Sequence, residues 1–462
     1  MSKSPTLSNP AGQTGLVRCM GFWQVWAIGV GAVVGDGIFL YLGQAVQAGG
    51  PSSLLGTFVA GVIQMLIMVS MGELAVGMPC AGAMSVWVEK YLGKFAGLFS
   101  GLTFSVGWVI MGGSTSIALG VTMVYWLPNF LPGTAGIIFW ALVWFSVFVI
   151  MNIMGAKIAG TGQLVMVIVL VAIMAGFGIA GLIKGVDTSN MTPFMPNGFG
   201  GFTATIPIAT FGFMGAACIT TAGHECKKTT DLGKALVWSS LTFIIVYCLA
   251  LFVLLCGMNW QDASMDVPLF TQAASLIFGP VGGHILNLAC WVACATCLIM
   301  GSIYTPSRIF YSMAQEGYMP KFFAKINPKT HTPTSGLVFI WIVCAVIIIA
   351  AAFAGTTVVY TTLVNQAVIA WCLSWGLAII AGMMYRKEIG SKNVKAVVGW
   401  KCWGYPVVPI LALVGIVYVL YLSFYDWIQW VAFVIWVVVY VIYYLNIRAK
   451  IKAGKIRADV QF

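Results

Sequence analysis

Residues 95–156 contain no Asp, Glu, Lys or Arg. Charge-free runs recur over 37–72, 158–183, 188–224, 235–261, 267–307, 330–385, 402–425 and 427–447. A helix crosses the ~30 Å apolar core of a bilayer with about 20 mostly apolar residues, so each run can hold at least one span. Charged residues make up 8% of the chain, against about 25% in soluble proteins, too few to cover a water-facing surface. That excludes a soluble enzyme, a nucleic-acid binder and a disordered chain. The runs are continuous rather than alternating, which argues against a β-barrel. What remains is an all-α membrane protein.

Turn signals set the number of spans. Gly49-Gly50-Pro51 separates the first span from the second, and Pro128 to Gly133 divides residues 95–156 in two. With two spans in 330–385 and one in each other run, the reading is twelve transmembrane helices. Lys and Arg stay on the cytosolic side of short loops, which orients the chain. With the N-terminus inside, the outer loops carry Lys184 alone, and the other 22 of the 23 Lys and Arg lie inside. The net charge of +11 is thus a loop bias and no nucleic-acid patch. The expected organisation is a cytosolic tail over 1–18, a twelve-helix domain over 19–446 and a basic cytosolic tail over 447–462, in the plasma (inner) membrane. The charged loops 308–334 and 386–401 are too short for a soluble domain. Most of the 12 cysteines sit in apolar runs as small hydrophobes, and Cys294 and Cys297 lack the second pair that zinc needs. No metal or cofactor is expected.

Two spans are poor helices near their middles. The first contains Gly29, Gly31, Gly35, Asp36 and Gly37; the sixth contains Pro207, Gly212 and Gly215. Unwound backbone in lipid is tolerated only where it lines a cavity. The weak points open spans 1–5 and spans 6–10, the pattern of a 5+5 inverted repeat, here about 19–185 and 200–385, with discontinuous helices 1 and 6. Helices 11 and 12 follow over about 402–446. The plainer reading is that Gly eases helix packing.

The run G-V-G-A-V-V-G-D-G-I-F-L from Gly29 to Leu40 resembles the first-helix motif of the amino acid–polyamine–organocation permeases. Gly72-Glu73-Leu74 with Pro79 and Gly82 resembles their second-helix exit. Phe211 to Gly215, followed by Ala222-Gly223-His224-Glu225, is similar to their sixth-helix pattern. Arg308-Ile309-Phe310-Tyr311, Gly317, Pro320 and Pro333 match the signature after helix 8. The resemblance covers roughly residues 20–446. It implies a LeuT-type fold, helices 1, 2, 6 and 7 moving against 3, 4, 8 and 9, and alternating access for an amino acid or related amine.

In such a cavity a substrate carboxylate would meet the free N–H groups of Gly35, Asp36, Gly37 and Ile38, at the positive end of a half-helix. Its ammonium would meet carbonyls before that break and near Phe211, Phe213, Met214 and Gly215. Phe211 aligns with the family's aromatic gate. Ser105 and Trp108 of helix 3, with Trp371 and Trp375 of helix 10, are further pocket candidates; packing is the plainer role for each. Asp36 replaces a small neutral residue of the family, and intramembrane acids are functional by default. Three readings stand open: it pairs with a cationic amine or polyamine, it carries a proton, or it is satisfied within the scaffold. Leu170 stands where many proton-coupled relatives have lysine, and Gly215-Ala216-Ala217 where several carriers of basic amino acids have G-x-E. Coupling to H+, coupling to Na+ through Ser302 or Thr305, and exchange all stay open. Glu73, Lys157, Glu225 and Arg308 fall at cytosolic helix ends, as an inner gate of ion pairs or as solvated anchors.

The leading expectation is a secondary transporter and no enzyme. A channel is the alternative from another class, and the broken helices with one central acid favour a closed site instead. Three histidines scattered at 224, 284 and 331 do not form a catalytic cluster.

Overall fold

Beyond Gly21, whose N–H is held by the Gln24 side chain at 2.8 Å, the chain winds into helix α1 (Phe22–Val33) and stops. Val34 is extended, at φ −78° and ψ 90°. Two β-branched residues followed by glycine are weak helix formers. Helix resumes as a π turn over Gly37–Tyr41 and continues as α2 (Leu42–Gly49). The computed structural model describes residues 16–35, 37–263, 268–354, 356–390, 398–424 and 427–452. Asp36 therefore lies outside the described residues, as do 1–15 and 453–462 of the two tails.

The remaining helices are α3 (Ser53–Gly77), α4 (Met84–Leu92), α5 (Lys94–Trp126), α6 (Thr134–Ile153), α7 (Ala156–Lys184), α8 (Gly198–Phe211), α9 (Thr230–Gly257), α10 (Leu269–Thr296), α11 (Thr305–Gln315), α12 (Thr334–Ala354), α13 (Thr356–Ile389), α14 (Val407–Ser423) and α15 (Trp427–Lys452). A 3-10 segment, Met214–Ala222, follows α8, and a π segment, Cys297–Tyr304, joins α10 to α11. Inside α10 the chain turns sharply at Gly279, φ 77°, just before Pro280. Pro cannot donate a helical N–H, and its ring disfavours α geometry in the residue before it. Among the described residues, regular structure is helical apart from one isolated bridge, Met20 to Cys226.

Among the described residues, nine helices are long and apolar enough to cross a membrane, with Phe22–Val33, Thr334–Ala350 and Val407–Ser423 as shorter apolar ones. They differ in how much other helices cover them. The most apolar window of Leu269–Gln315 is 83% buried inside the protein and that of Trp427–Lys450 only 11%. The former is a central helix and the latter a peripheral one. Ile435, Val439 and Ile442 on α15 and Val414 and Val417 on α14 are exposed, and so large an uncovered apolar face is stable only against lipid.

Packing relates the two interrupted stretches in a crossed way. α1 lies against Met214–Ala222, while α2 lies against α8. α1 also packs on α9, and α8 on α3. α5 packs on α13, and α7 on α10.

Candidate functional site

Where the two interruptions meet, a small void is lined by Ala32, Val33, Gly35, Gly37, Phe211, Met214 and Gly215. Trp108 and Met111 of α5, Cys297 of the π segment and Trp371 of α13 close its other side. The contact is backbone on backbone. A Cβ on Gly215 would stand 2.0 Å from the carbonyl carbon and oxygen of Ala32, and one on Gly37 would stand 3.0 Å from Gly212 Cα and the Phe211 ring. Only glycine lets two main chains approach this closely. The void measures about 20 Å³, room for about one water. Anything larger than a water molecule fits only if the surrounding segments move.

Above the void, Phe211 meets Tyr41 edge to face, ring centres 5.2 Å apart. Beyond this pair opens a cavity of about 400 Å³, lined by Tyr41, Gln44, Thr203, Pro207, Ile208 and Asn365 among others. Phe211 and Tyr41 thus form a thin partition between a substrate-sized chamber and the inner void.

The other expected residues fall in several places. Ile38 is buried at the break. Phe213 turns from the void to pack on Phe243 and Tyr247, at 5.3 and 5.1 Å between ring centres. Ser105 bonds the Gly101 carbonyl on its own helix at 2.7 Å and is not among the void's lining. Trp375 is buried. Ser302 Oγ is buried without a partner, and its Cβ lies 3.1 Å from where a Cβ of Gly112 would be, so it faces α5. Thr305 Oγ1 donates to the Met300 carbonyl at 2.8 Å. Leu170 is fully buried.

Two residues that bond α1 carbonyls are not marked by any sequence motif. Tyr247 Oη donates to the Val33 carbonyl at 3.1 Å, capping the last carbonyl of α1. Gln163 Nε2 donates to the Ala27 carbonyl at 3.3 Å, in space that a side chain on Gly31 would fill. A buried polar residue on an otherwise apolar helix was the only available hint.

A buried ion pair lies near the start of α1. Arg308 grips Glu225 with both arms, Nη2 to Oε1 at 3.1 Å and Nε to Oε2 at 3.2 Å, both side chains almost fully buried. Tyr304 Oη donates to the same carboxylate, and its ring lies under the guanidinium at 3.9 Å. The Glu225 carbonyl accepts from the N–H groups of Cys19 at 2.9 Å and Met20 at 3.0 Å. One residue thus ties the chain entering α1 to the exit of Met214–Ala222 and to α11. Glu73 belongs to a separate knot, pairing with Arg386 and accepting the Cys402 N–H at 2.6 Å. Lys157 is exposed and joins no ion pair among the described residues.

About two turns beyond Arg308, Glu316 and Glu89 of α4 lie near each other. Ser312 Oγ donates to Glu316 at 3.2 Å and Tyr318 Oη to Glu89 at 2.7 Å. Burial first, and the Glu89 charge second, push the Glu316 carboxyl up to about 8 from the usual 4.5. The folded protein then holds a proton that the unfolded chain has released. Stability should fall as pH rises from about 4.5 to about 8 and level off above it. Melting temperature against pH should show this slope, and Glu316→Gln should flatten it; equal slopes in both proteins would remove Glu316 as its source.

The family model for amino acid permeases matches residues 24–458. Amino-acid permease AapA of Bacillus subtilis (strain 168) is 25% identical over 79% of this chain and 80% of its own length. The D-serine/D-alanine/glycine transporter of Escherichia coli (strain K12) is 24% identical over 81% of this chain and 82% of its own. The aromatic amino acid transport protein AroP of the same strain is 28% identical over 80% and 82%. The crystal structure of MhsT in complex with L-phenylalanine superposes with a TM-score of 0.63 at 14% identity, covering 87% of this chain and 98% of that one. That likeness concerns the fold alone. The match to the family model, running almost end to end, places this chain in the amino acid permease family.

Proposed function

We propose that the chain is a secondary transporter that carries an amino acid across the plasma membrane by alternating access. The observation that carries this reading is the void where two interrupted helices touch, partitioned from an outer chamber on one side, with a buried ion pair near the start of α1. Nine long apolar helices with three shorter ones fit twelve spans. Exchanging spans 1–5 with 6–10 turns the α1·α9 contact into α8·α3, and α5·α13 into α10·α7. That is what a 5+5 inverted repeat over about 19–185 and 200–385 requires. Both tails lie in the cytosol on the lysine and arginine bias, so the Arg308–Glu225 knot is the inner gate and the described conformation is closed inward.

Ligand recognition in this reading rests on the amides of Gly35 to Ile38 for the carboxylate. The carbonyls before the first break and near Phe211 to Gly215 take the ammonium. The coupling partner is H+, Na+ or a second substrate. Reconstituted in proteoliposomes, the purified chain should take up a labelled amino acid saturably and show counterflow. Flux that never saturates and shows no counterflow would point to a channel.

Asp36 lies between two void-lining glycines. A carboxylate beside amides that bind an anion must be neutralised by a proton or a cation. Asp36→Asn and Asp36→Ser should change both substrate affinity and its pH dependence, by about tenfold or more near neutral pH. A pH profile of uptake superimposable on that of the parent would leave the carboxylate without a functional role.

A further inference from the structure

The wall of the void opposite the helix breaks is built differently from the rest. Trp108 and Trp371 pack together in a tilted pair, ring centres 4.6 Å and planes 37° apart, and each is at most 2% exposed. Neither indole is free to swing. Trp371 Nε1 donates to the Phe104 carbonyl at 3.2 Å, and its ring edge occupies the space left by Gly107, where a Cβ would come within 2.7 Å of Nε1. The benzenoid edge of Trp108 fills the space left by Gly301, where a Cβ would come within 2.5 Å. One turn away, Ser100 and Ser374 join α5 to α13 at 2.8 Å between hydroxyls. The two rings are thus wedged into slots on three helices that also hold one another.

From this wall we infer that the protein selects small neutral amino acids such as glycine, alanine and serine, and that Trp108 and Trp371 set the upper limit on side-chain size. This rests on the amino acid transport proposed above and names the substrate class for the same site. The space that a substrate backbone needs comes from movement of the two glycine-rich segments, which meet where Gly215 lies against the Ala32 main chain and Gly37 against Gly212 and the Phe211 ring. Movement there opens the polar side of the void and leaves the indole side where it is. A large side chain would have to push into close-packed rings, and overpacking a core is unfavourable. The described residues on this wall, Trp108, Met111, Cys297 and Trp371, carry no charge, so an ionic side chain would lie there unpaired. Among these four side chains the one orphan nitrogen or oxygen is Trp108 Nε1, buried without a partner. It sits on the edge away from Gly301, as a donor for an oxygen-bearing ligand. Relatives named for small and for aromatic amino acids match this chain almost equally, at 24% and 28% identity, so the wall, and not overall similarity, decides between them.

The test is competition against labelled alanine in proteoliposomes, with the full chain and the variants Trp108→Phe and Trp108→Ala. Thermal stabilisation by each amino acid provides a second readout. In the parent, glycine and serine should compete, while phenylalanine, tryptophan and arginine should need at least about tenfold higher concentrations, the discrimination that one or two methylenes support in a fixed pocket. Trp108→Phe and then Trp108→Ala should progressively admit phenylalanine, lowering the concentration needed by about tenfold or more. The inference is overturned if the parent takes phenylalanine or arginine as well as alanine. It is also overturned if both variants, shown to be folded by their own melting transitions, keep the parent's profile. The parent's profile decides the matter even if Trp108→Ala does not fold. Absence of saturable uptake or stabilisation by any amino acid removes the transport proposal itself, and this inference with it.

Discussion

Gly215→Ala should abolish transport while the protein still inserts and folds. The added methyl would lie 2.0 Å from the carbonyl carbon and oxygen of Ala32 and 2.3 Å from the Val33 nitrogen. These are main-chain atoms at the end of α1 and cannot rotate aside. Relief requires the two interrupted stretches to separate by about an ångström, and overpacking of this kind costs roughly 1–3 kcal/mol where the structure can give. The larger effect is on function. The carbonyls and amides proposed to clasp the substrate belong to these same two stretches, and a misplacement of about 1 Å can lower a rate by about 10². Initial rates of uptake should fall by at least that factor. Gly176→Ala on α7 is the control, because a Cβ there meets nothing within 4 Å, and it should transport like the parent. Wild-type uptake by Gly215→Ala would mean that the close approach at Ala32 has no part in the site.

The lipid-spanning helices were legible because charge is excluded from a bilayer whatever the helix does next, so runs such as 95–156 announce themselves. The interruptions were legible for a related reason. Glycine and proline at mid-membrane are unfavourable in an ordinary helix, and both weak points sit where backbones cross. Facing was far less legible. Helices such as α6, α12 and α14 are apolar almost all round, so no 3.6-residue stripe reports which residues look inward. That is why Trp108 and Ser105, one turn apart on α5, looked alike in sequence although Trp108 alone lines the void. Partner choice was equally hidden. Glu73, Glu225, Arg308 and Arg386 all stand at helix ends, and only the fold sorts them into Glu225 with Arg308 and Glu73 with Arg386. Gln163 and Tyr247 act through single hydrogen bonds to α1 carbonyls, contacts that span more than 130 residues of sequence and leave no local pattern.

Removing either partner of the Arg308–Glu225 pair should be the most destabilising polar substitution in the protein. With Arg308→Met, the Glu225 carboxylate keeps the Tyr304 hydroxyl but loses both guanidinium bonds in a site shielded from water. Breaking a buried pair from one side costs about 3–5 kcal/mol, because the remaining charge must be neutralised or hydrated. Glu225→Gln leaves the mirror-image problem, a guanidinium at 0% exposure that has lost its counter-charge and keeps neutral acceptors such as the new amide oxygen and the Ser307 hydroxyl. Replacing both together removes the stranded charge, so the double variant should recover most of the lost stability, since a buried pair and a neutral filling are often nearly equivalent. Transport should not recover with it. In the proposed cycle the pair has two roles: it holds the inner end shut while the outer chamber fills, and it separates when the inner end opens. A neutral substitute that packs well does the first without the switch, and one that packs poorly does neither. Melting temperatures of the two single variants and the double variant, set beside their uptake rates, separate these contributions. Stability that returns without transport identifies the ion pair as a gate. Transport that returns in step with stability would show that the pair only holds the fold together.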